Sequence, residues 1–272
     1  MSEIEFLCLA VFRGKPILGE RFPYFAVGID LVTGRWIRLV ENIKGHALKL
    51  RRLQCLDRGF PRRMRPLDVV SLSLEAPAPD RFHPENWILG PGIGSNSLLR
   101  TASEDETLNL LIRKKAEETR SEEKLFGSVT SDVTHVGKFK SSILICCPGS
   151  LMWRRTREFN KGRVEEVHGH GPEIKGQFSF GVDEWTYALP VTDPVWERKI
   201  ESHLPDSGHM ENRQLLESIE PATNDDTLLT LTIDDGLTTP NELHTIIAGV
   251  LLLPKPQVDA GTPANPIVED EA

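Results

Sequence analysis

The stretch from Tyr24 to Val40, YFAVGIDLVTGRWIRLV, constrains the fold more than any other part of the chain. Apolar residues alternate along its first arm, a short turn follows at Thr33 and Gly34, and apolar residues resume at Trp36. Two β-branched and aromatic runs around a glycine-containing turn are typical of a β-hairpin. The sequence therefore predicts one strand pair of a small barrel or sheet.

Two arginines, Arg35 and Arg38, flank Trp36 on the second arm of this hairpin. Guanidinium groups beside an aromatic ring can neutralise phosphates while a base stacks on the ring. Aromatic and β-branched residues are also ordinary strand formers. On this pattern alone, a barrel strand with Trp36 in the core and two solvated arginines is therefore the favoured alternative.

Basic residues are concentrated around the hairpin, although the whole chain is acidic. Ten arginines and lysines against two acids give residues 35–65 a net charge of +8, so the remainder of this −8 chain carries −16. A basic surface on an acidic protein indicates an anionic ligand such as nucleic acid. The alternative is that the basic segment docks on the acidic C-terminal half of the same chain.

The rest of the chain consists of short strands in two similar halves. We predict strands at 4–12, 67–74, 141–147, 152–159, 174–180, 184–190, 227–233 and 245–253. The second half adds a helix that begins at Pro194 after a cap at Thr192 or Asp193. A five-stranded Greek-key barrel with a helix before its fourth strand is the OB-fold pattern. A mostly β fold with few helices follows, built as two OB-like five-stranded barrels joined by a helical or loop connector; a pair of β-sandwiches fits the strand count almost as well.

The predicted division has a first OB-like domain over residues 1–100, a connector over 101–140 and a second OB-like domain over 141–254. In the connector, a capping box and helical periodicity predict a helix over 103–125. The basic segment 42–66 is predicted to be a long loop with one short helix near 48–53, and 205–226 to be irregular. The proline-rich acidic tail, 255–272, is predicted to be disordered.

Five segments, taken in order, resemble the bacterial dual OB-domain family. They are CLAVFRG, AVGIDLVTGRWIRLV, RPLDVV, HPENWIL and YALPVTDPVWERK. The most specific pieces are Gly34–Arg38 and Val191–Pro194, whereas Leu39 stands where that family more often has proline. The resemblance implies two OB domains and a nucleic-acid or nucleotide-sensing role in prokaryotic conflict systems. It supplies no catalytic residue.

Motifs that carry catalysis or cofactor binding are weak in this sequence. There is no serine elbow, zincin box or dinucleotide fingerprint. The pairs His168 with His170 and His83 with Glu85 fit a solvated loop and a structural role better than a metal or acid–base site. We therefore expect no cofactor and no metal.

Cysteine usage and hydropathy indicate a cytoplasmic location. The four cysteines contain no CxxC pair, which is typical of reduced thiols. No apolar stretch approaches the ~20 residues of a membrane helix, so we expect no membrane association.

The sequence thus predicts a non-catalytic protein that binds or senses nucleic acid or a nucleotide. One alternative is an enzyme acting on nucleic acid or nucleotides through an unrecognised site with acids such as Asp68, Asp183 or Asp193; another is an adaptor that binds a protein partner. The predicted contact residues are Arg35, Trp36, Arg38, Arg51, Arg52, Trp87, Arg154 and Arg155.

Overall fold

Strands dominate the structure, a computed structural model that describes residues 2–14, 23–91, 96–103, 141–148, 150–156, 173–180, 185–205, 208–219, 226–234 and 244–253. In the first half the strands are β1 (Ser2–Arg13), β2 (Tyr24–Asp30), β3 (Trp36–Val40), β4 (Gln54–Asp57), β5 (Phe60–Arg63), β6 (Asp68–Pro77), β7 (Asn86–Leu89) and β8 (Ser97–Thr101). In the second half they are β9 (Ile143–Cys146), β10 (Leu151–Thr156), β11 (Glu173–Phe180), β12 (Trp185–Pro190), β13 (His209–Glu211), β14 (Asp226–Asp234) and β15 (His244–Leu253). The helices are α1 (Pro194–His203), α2 (Asn212–Ile219) and a 3-10 helix at Leu50–Leu53. None of the helices in these ranges is long and apolar enough to cross a membrane.

The first barrel closes on itself through β1. Its strand order is β1-β2-β3-β7-β6, and β6 pairs again with β1 from Ser2↔Leu74 to Leu7↔Val69. All neighbours are antiparallel except β3 and β7, which are parallel. This closed five-stranded Greek-key order is that of an OB fold and excludes a sandwich. The predicted hairpin is confirmed, since β2 pairs with β3 from Ala26↔Leu39 to Ile29↔Trp36.

The second barrel repeats this order with an interrupted first strand. Its first strand is divided into β9, which pairs with β14, and β10, which pairs with β11. The strand β12 joins β15 through a parallel bridge between Val191 and Ile247. The helices lie between the third and fourth strands, and Asp193 caps α1 by accepting from the N–H groups of Val195 and Trp196. The cap and the helix start predicted from the sequence are therefore confirmed.

Two segments differ from their predicted conformations. The basic segment contains a hairpin, β4–β5, where the sequence predicts a long loop. The hairpin lacks an alternating apolar face; Arg62 instead ties its two strands to β6 through ion pairs with Asp57 and Asp68. The segment expected to be irregular contains β13 and α2, and Leu215 and Leu216 of that helix pack in the second barrel. The predicted connector helix and the acidic tail lie outside the described residues.

Apolar side chains form three layers. One fills the first barrel and includes Phe6 and Ile37. Another fills the second barrel and includes Trp153 and Leu229. A third layer joins the outer face of β1, β2 and β3 to the outer face of β9, β14 and β15. Its fully buried leucine, isoleucine, valine and phenylalanine side chains each contribute roughly 1.5–3 kcal/mol by leaving water, so the two barrels form one packed body.

Residues of the third layer follow from strand alternation. A bulge in β1 between Cys8 and Ala10 turns both Leu9 and Ala10 outward, toward the second barrel. A Cβ atom added at Gly249 of β15 would lie 2.7 Å from the Cβ of Ala10, so glycine is required for this close approach. The members of the layer are Leu7, Leu9, Ala10, Phe12, Phe25, Val27, Ile29, Val40, Val69, Ala78, Ala102, Ile143, Ile145, Leu228, Ile246, Ala248 and Leu251.

Candidate nucleic-acid interface

The outer face of β2 and β3, where OB folds bind oligonucleotides, is covered by the second barrel. Trp36 is half-buried and packs against the layer between the barrels. Arg38 is 1% exposed, and its guanidinium carbon lies 4.0 Å from the centre of the Phe25 ring. The predicted phosphate contact through Arg38 is therefore wrong, because the side chain does not reach solvent. Trp36 belongs to the packing between barrels, so we leave it out of the candidate interface.

Arg35 and Trp87 lie together at the edge of the first barrel. The guanidinium carbon of Arg35 is 5.6 Å from the centre of the Trp87 ring, and its Nε donates to Thr33 Oγ1 at 3.1 Å. Arg35 is exposed, whereas Trp87 is half-buried against the first barrel's core. The two form a cation–π pair of the kind worth about 0.5–1 kcal/mol at exposed sites.

Two arginines of the basic segment bind groups within the protein. Arg52 donates to the carbonyl oxygens of Leu89 and Gly90 at 2.8 and 2.9 Å, and lies 3.6 Å from Glu41. Arg62 makes two parallel hydrogen bonds of 2.8 Å to Asp68. Such bidentate pairs fix geometry as well as charge. Because its guanidinium is bound to backbone carbonyls, Arg52 has a structural role, and its predicted phosphate contact stays a prediction.

The remaining cations of this segment are exposed. We call residues 49–65, the 3-10 helix with β4 and β5, the basic insertion. It carries seven arginines and lysines against one acid, Asp57. Within the described part of the chain no ion pair engages its exposed members. These are Lys49, Arg51, Arg58, Arg63 and Arg65.

Phe60 stands at the tip of the basic insertion with 76% of its surface exposed. The preceding residues, Arg58 and Gly59, have φ of 51° and 86°, the left-handed pair that a two-residue hairpin turn requires. Open space surrounds the Cα of Gly59, so the turn projects into solvent. The insertion therefore presents an aromatic ring beside Arg58 and close in sequence to Arg63.

Arg154 and Arg155 take different roles on the second barrel. Arg154 is exposed on the outer face of β10, where its Nη1 donates to Gln177 Oε1 at 2.8 Å. In register with it lie Lys175 on β11 and His209 on β13. Arg155 is half-buried and donates to the Glu201 carbonyl near the end of α1 at 3.1 Å. Arg155 thus supports the helix C-terminus, whereas Arg154 remains on an open face.

A buried polar cluster joins the barrels and offers no access to a substrate. His83 Nδ1 lies 2.7 Å from the hydroxyl of Ser142, which also hydrogen-bonds Glu85. His83 and Ser142 are 0% exposed, and Glu85 is 6% exposed. Burial acts to raise the pKa of Glu85, but hydrogen bonds from His83 and Ser142 outweigh it and hold that pKa below its usual value. The cluster links the connection before β7 to the start of β9.

The acidic residues considered for an enzyme site either form hydrogen bonds within the protein or lie outside the described residues. Asp68 accepts two hydrogen bonds from Arg62, and Asp193 caps α1. Asp183, His168 and His170 lie outside the described residues. Among residues that the structure describes, no group of three or more His, Cys, Asp or Glu side chains is arranged to hold a metal ion.

Comparison with known families accounts for both barrels at once. The family model for the dual OB-containing domain matches residues 5–248. The chain belongs to the dual OB-containing domain family. Neither a search of curated proteins nor a search of solved structures gave a significant match. The match runs from β1 into β15, so the pairing of barrels described above is the dual OB unit itself.

The structure of this dual OB protein places the eight predicted contact residues in four separate regions. Arg35 and Trp87 meet at the edge of the first barrel, and Trp36 and Arg38 lie on β3. Arg51 and Arg52 lie on the 3-10 helix, and Arg154 and Arg155 lie on the second barrel. Phe60 was missed. The signal for it was the run Asp57 to Phe60, DRGF, whose Arg-Gly pair is compatible with a two-residue hairpin turn.

Proposed function

We propose that this dual OB protein binds single-stranded nucleic acid through the basic insertion of its first barrel. The observation that carries the proposal is Phe60, a large aromatic side chain that is 76% exposed and stands among exposed arginines. Stacking of a base on an aromatic ring contributes roughly 1–3 kcal/mol and tolerates any base. Such binding supplies the recognition step of the nucleic-acid-sensing role that the family resemblance implies.

Charge supports the same surface. The side chains of Arg51, Arg58 and Arg63 are exposed and available to phosphates. The groups that bind the guanidinium groups of Arg52 and Arg62 do not bind these three side chains. A single strand exposes its bases as well as its phosphates, whereas a duplex offers this insertion only phosphates and groove edges. We therefore expect single strands to bind more tightly than duplex of the same sequence.

A binding role accounts for the described side chains better than catalysis does. The buried His83, Glu85 and Ser142 are closed to solvent, and Asp68 and Asp193 are held by hydrogen bonds. These groups have structural partners, so none is placed to act on a bound strand. By contrast, the exposed side chains of Arg51 and Arg58 on the basic insertion have no such partners among the described residues.

The test is fluorescence anisotropy with one sequence as labelled single-stranded DNA, single-stranded RNA and duplex, at several salt concentrations. We expect the logarithm of the association constant to fall with log salt by roughly 0.7 per contacted phosphate for the single strands. The variant Arg58→Ala with Arg63→Ala should lower that slope, whereas Lys44→Ala with Arg213→Ala, which removes two exposed charges elsewhere, should leave it unchanged. Absent or salt-independent binding by the parent would exclude this function and favour the protein-adaptor alternative.

A further inference from the structure

A groove of about 1160 Å³ runs between the two barrels, next to the basic insertion. One wall comes from the first barrel and includes Arg63 and Arg65, which belong to the insertion. The opposite wall comes from α1, between Pro194 and Glu201. This volume lies slightly above the roughly 300–1,000 Å³ of typical small-molecule pockets. The groove therefore has room for an extended ligand.

Cations from both barrels line the groove. Arg63 and Arg65 face it from the first barrel, and Arg198 and Lys199 line it from α1. The Nε of Arg198 donates to the Pro194 carbonyl at 2.9 Å, which leaves its two terminal nitrogens without a partner in the described residues. The Nζ of Lys199 lies 4.9 Å from the centre of the Trp196 ring.

Acids in the groove are fewer and are partly engaged. Glu197 forms an ion pair with Arg13, and the buried Asp193 accepts hydrogen bonds from the first turn of α1. Glu201 is exposed. Apart from the Arg13–Glu197 ion pair, four basic residues of the lining therefore face two acidic ones, of which Asp193 is already hydrogen-bonded.

The floor of the groove is apolar. Val11, Leu50, Leu53 and Leu251 line it, and Val195 stands on the α1 wall with 49% of its surface exposed. Tyr24, which is half-buried, adds an aromatic side chain to the lining. An apolar floor between cationic walls suits a single strand, whose bases are unpaired and can leave water while its phosphates meet the walls.

We infer that the groove between the barrels binds a segment of single-stranded nucleic acid, with Arg198 and Lys199 of the second barrel contacting its phosphates. The inference rests on the proposed function, because Arg63 and Arg65 belong to both the insertion and the groove. It assigns the ligand to the pair of barrels together: the strand stacks on Phe60 and continues between the walls. In this arrangement both barrels contribute to one binding site. That site takes the place of the outer face of β2 and β3, which is covered.

The first experiment measures oligothymidylate binding by Arg198→Gln with Lys199→Gln, which keeps the aliphatic stems and removes two charges. We expect the salt slope to fall by about 1.4, the contribution of two phosphates on a single strand. The oligomer length above which affinity no longer increases should also be shorter for this variant than for the parent. The matched control is Lys44→Gln with Arg213→Gln, two exposed residues outside the groove lining, which should change neither quantity.

The second experiment is independent of these charges. A photo-crosslinking residue introduced as Val195→p-benzoylphenylalanine should capture labelled oligothymidylate, whereas Ile43→p-benzoylphenylalanine, 66% exposed but outside the groove, should not. Failure of capture at position 195 together with an unchanged salt slope, in a parent whose binding still depends on Arg58, overturns the groove and leaves the proposed function standing. A parent that does not bind oligothymidylate at all overturns both.

Discussion

The guanidinium carbon of Arg38 lies 4.0 Å from the centre of the Phe25 ring. Phe25 belongs to the apolar layer between the barrels, and Arg38 is itself 1% exposed. The cation therefore packs where an OB barrel would otherwise meet its ligand. This pair makes the outer face of β2 and β3 part of the inter-barrel core.

Replacing Arg38 should affect stability rather than binding. Arg38→Ala removes a desolvated cation–π contact and leaves a cavity, so the free energy of unfolding should fall by about 2–4 kcal/mol. Arg35→Ala, which removes the exposed neighbour of Trp87, should cost less than about 1 kcal/mol. Chemical denaturation of both variants checks this, and equal small losses would contradict the burial argument.

Neighbouring arginines on the 3-10 helix should behave in opposite ways. Arg51→Ala should weaken oligothymidylate binding and lower the salt slope by about 0.7 while leaving stability within about 0.5 kcal/mol. Arg52→Ala removes the donor to the Leu89 and Gly90 carbonyls and should lower the free energy of unfolding by about 1–3 kcal/mol. Denaturation and anisotropy on the same samples separate the two effects. A large stability loss for Arg51→Ala would contradict its placement in solvent.

Phe60→Ala should separate affinity from folding. The side chain is 76% exposed, so stability should change by no more than about 0.5 kcal/mol. Loss of a stacking ring should lower binding by about 1–3 kcal/mol without changing the salt slope. Ile43→Ala, a substitution of another exposed apolar residue, is the matched control and should bind like the parent. Unaltered affinity of Phe60→Ala would remove this ring from the interface.

The sequence predicted those elements whose information is local. The hairpin of β2 and β3 has its alternation and its Thr-Gly turn within 17 residues, and α1 has its cap and proline side by side. The β4–β5 hairpin was missed because ion pairs from Arg62 to Asp57 and Asp68 hold it in place of an apolar face. Side-chain pairing of that kind leaves no periodic signal.

The candidate site was predictable in composition but not in arrangement. Arg51 and Arg52 are adjacent in sequence, and only the position of the Leu89 carbonyl, 37 residues away, decides which one is engaged. Strands buried on both faces lose the alternation of apolar and polar residues. The continuous apolar runs of β1 and β15 therefore indicate that the outer barrel face is covered. Such runs indicate a second packing partner but do not identify it as the other barrel.

Gly249 offers a test of the contact between the barrels. A Cβ at this position would lie 2.7 Å from the Cβ of Ala10 and 3.1 Å from the carbonyl oxygen of Leu9. Gly249→Val should therefore push the barrels apart and lower the free energy of unfolding by about 1–3 kcal/mol. Ala188→Val adds apolar volume on the half-buried outer face of β12 and should be nearly neutral. A thermal midpoint for Gly249→Val equal to that of the parent would show that this interface yields easily.

Asp193 should give the protein a specific pH dependence. Burial raises the pKa of Asp193 from 3.8 to about 6, although the N–H groups of Trp196, Val195 and Val250 partly offset it. Between these values the folded state binds more protons than the unfolded chain, so this group's contribution to stability falls as pH rises from about 4 to about 6 and stays low above that.

The variant Asp193→Asn removes this titration while keeping a good N-cap. Relative to wild type, it should be most favourable above pH 7, and its advantage should shrink on acidification through pH 6 toward pH 4 by up to roughly 3 kcal/mol. Thermal denaturation of both proteins across this range measures the difference. A constant advantage would mean that Asp193 ionises normally in the fold. An advantage that grows with acid would mean that its three N–H donors stabilise the carboxylate more than burial destabilises it.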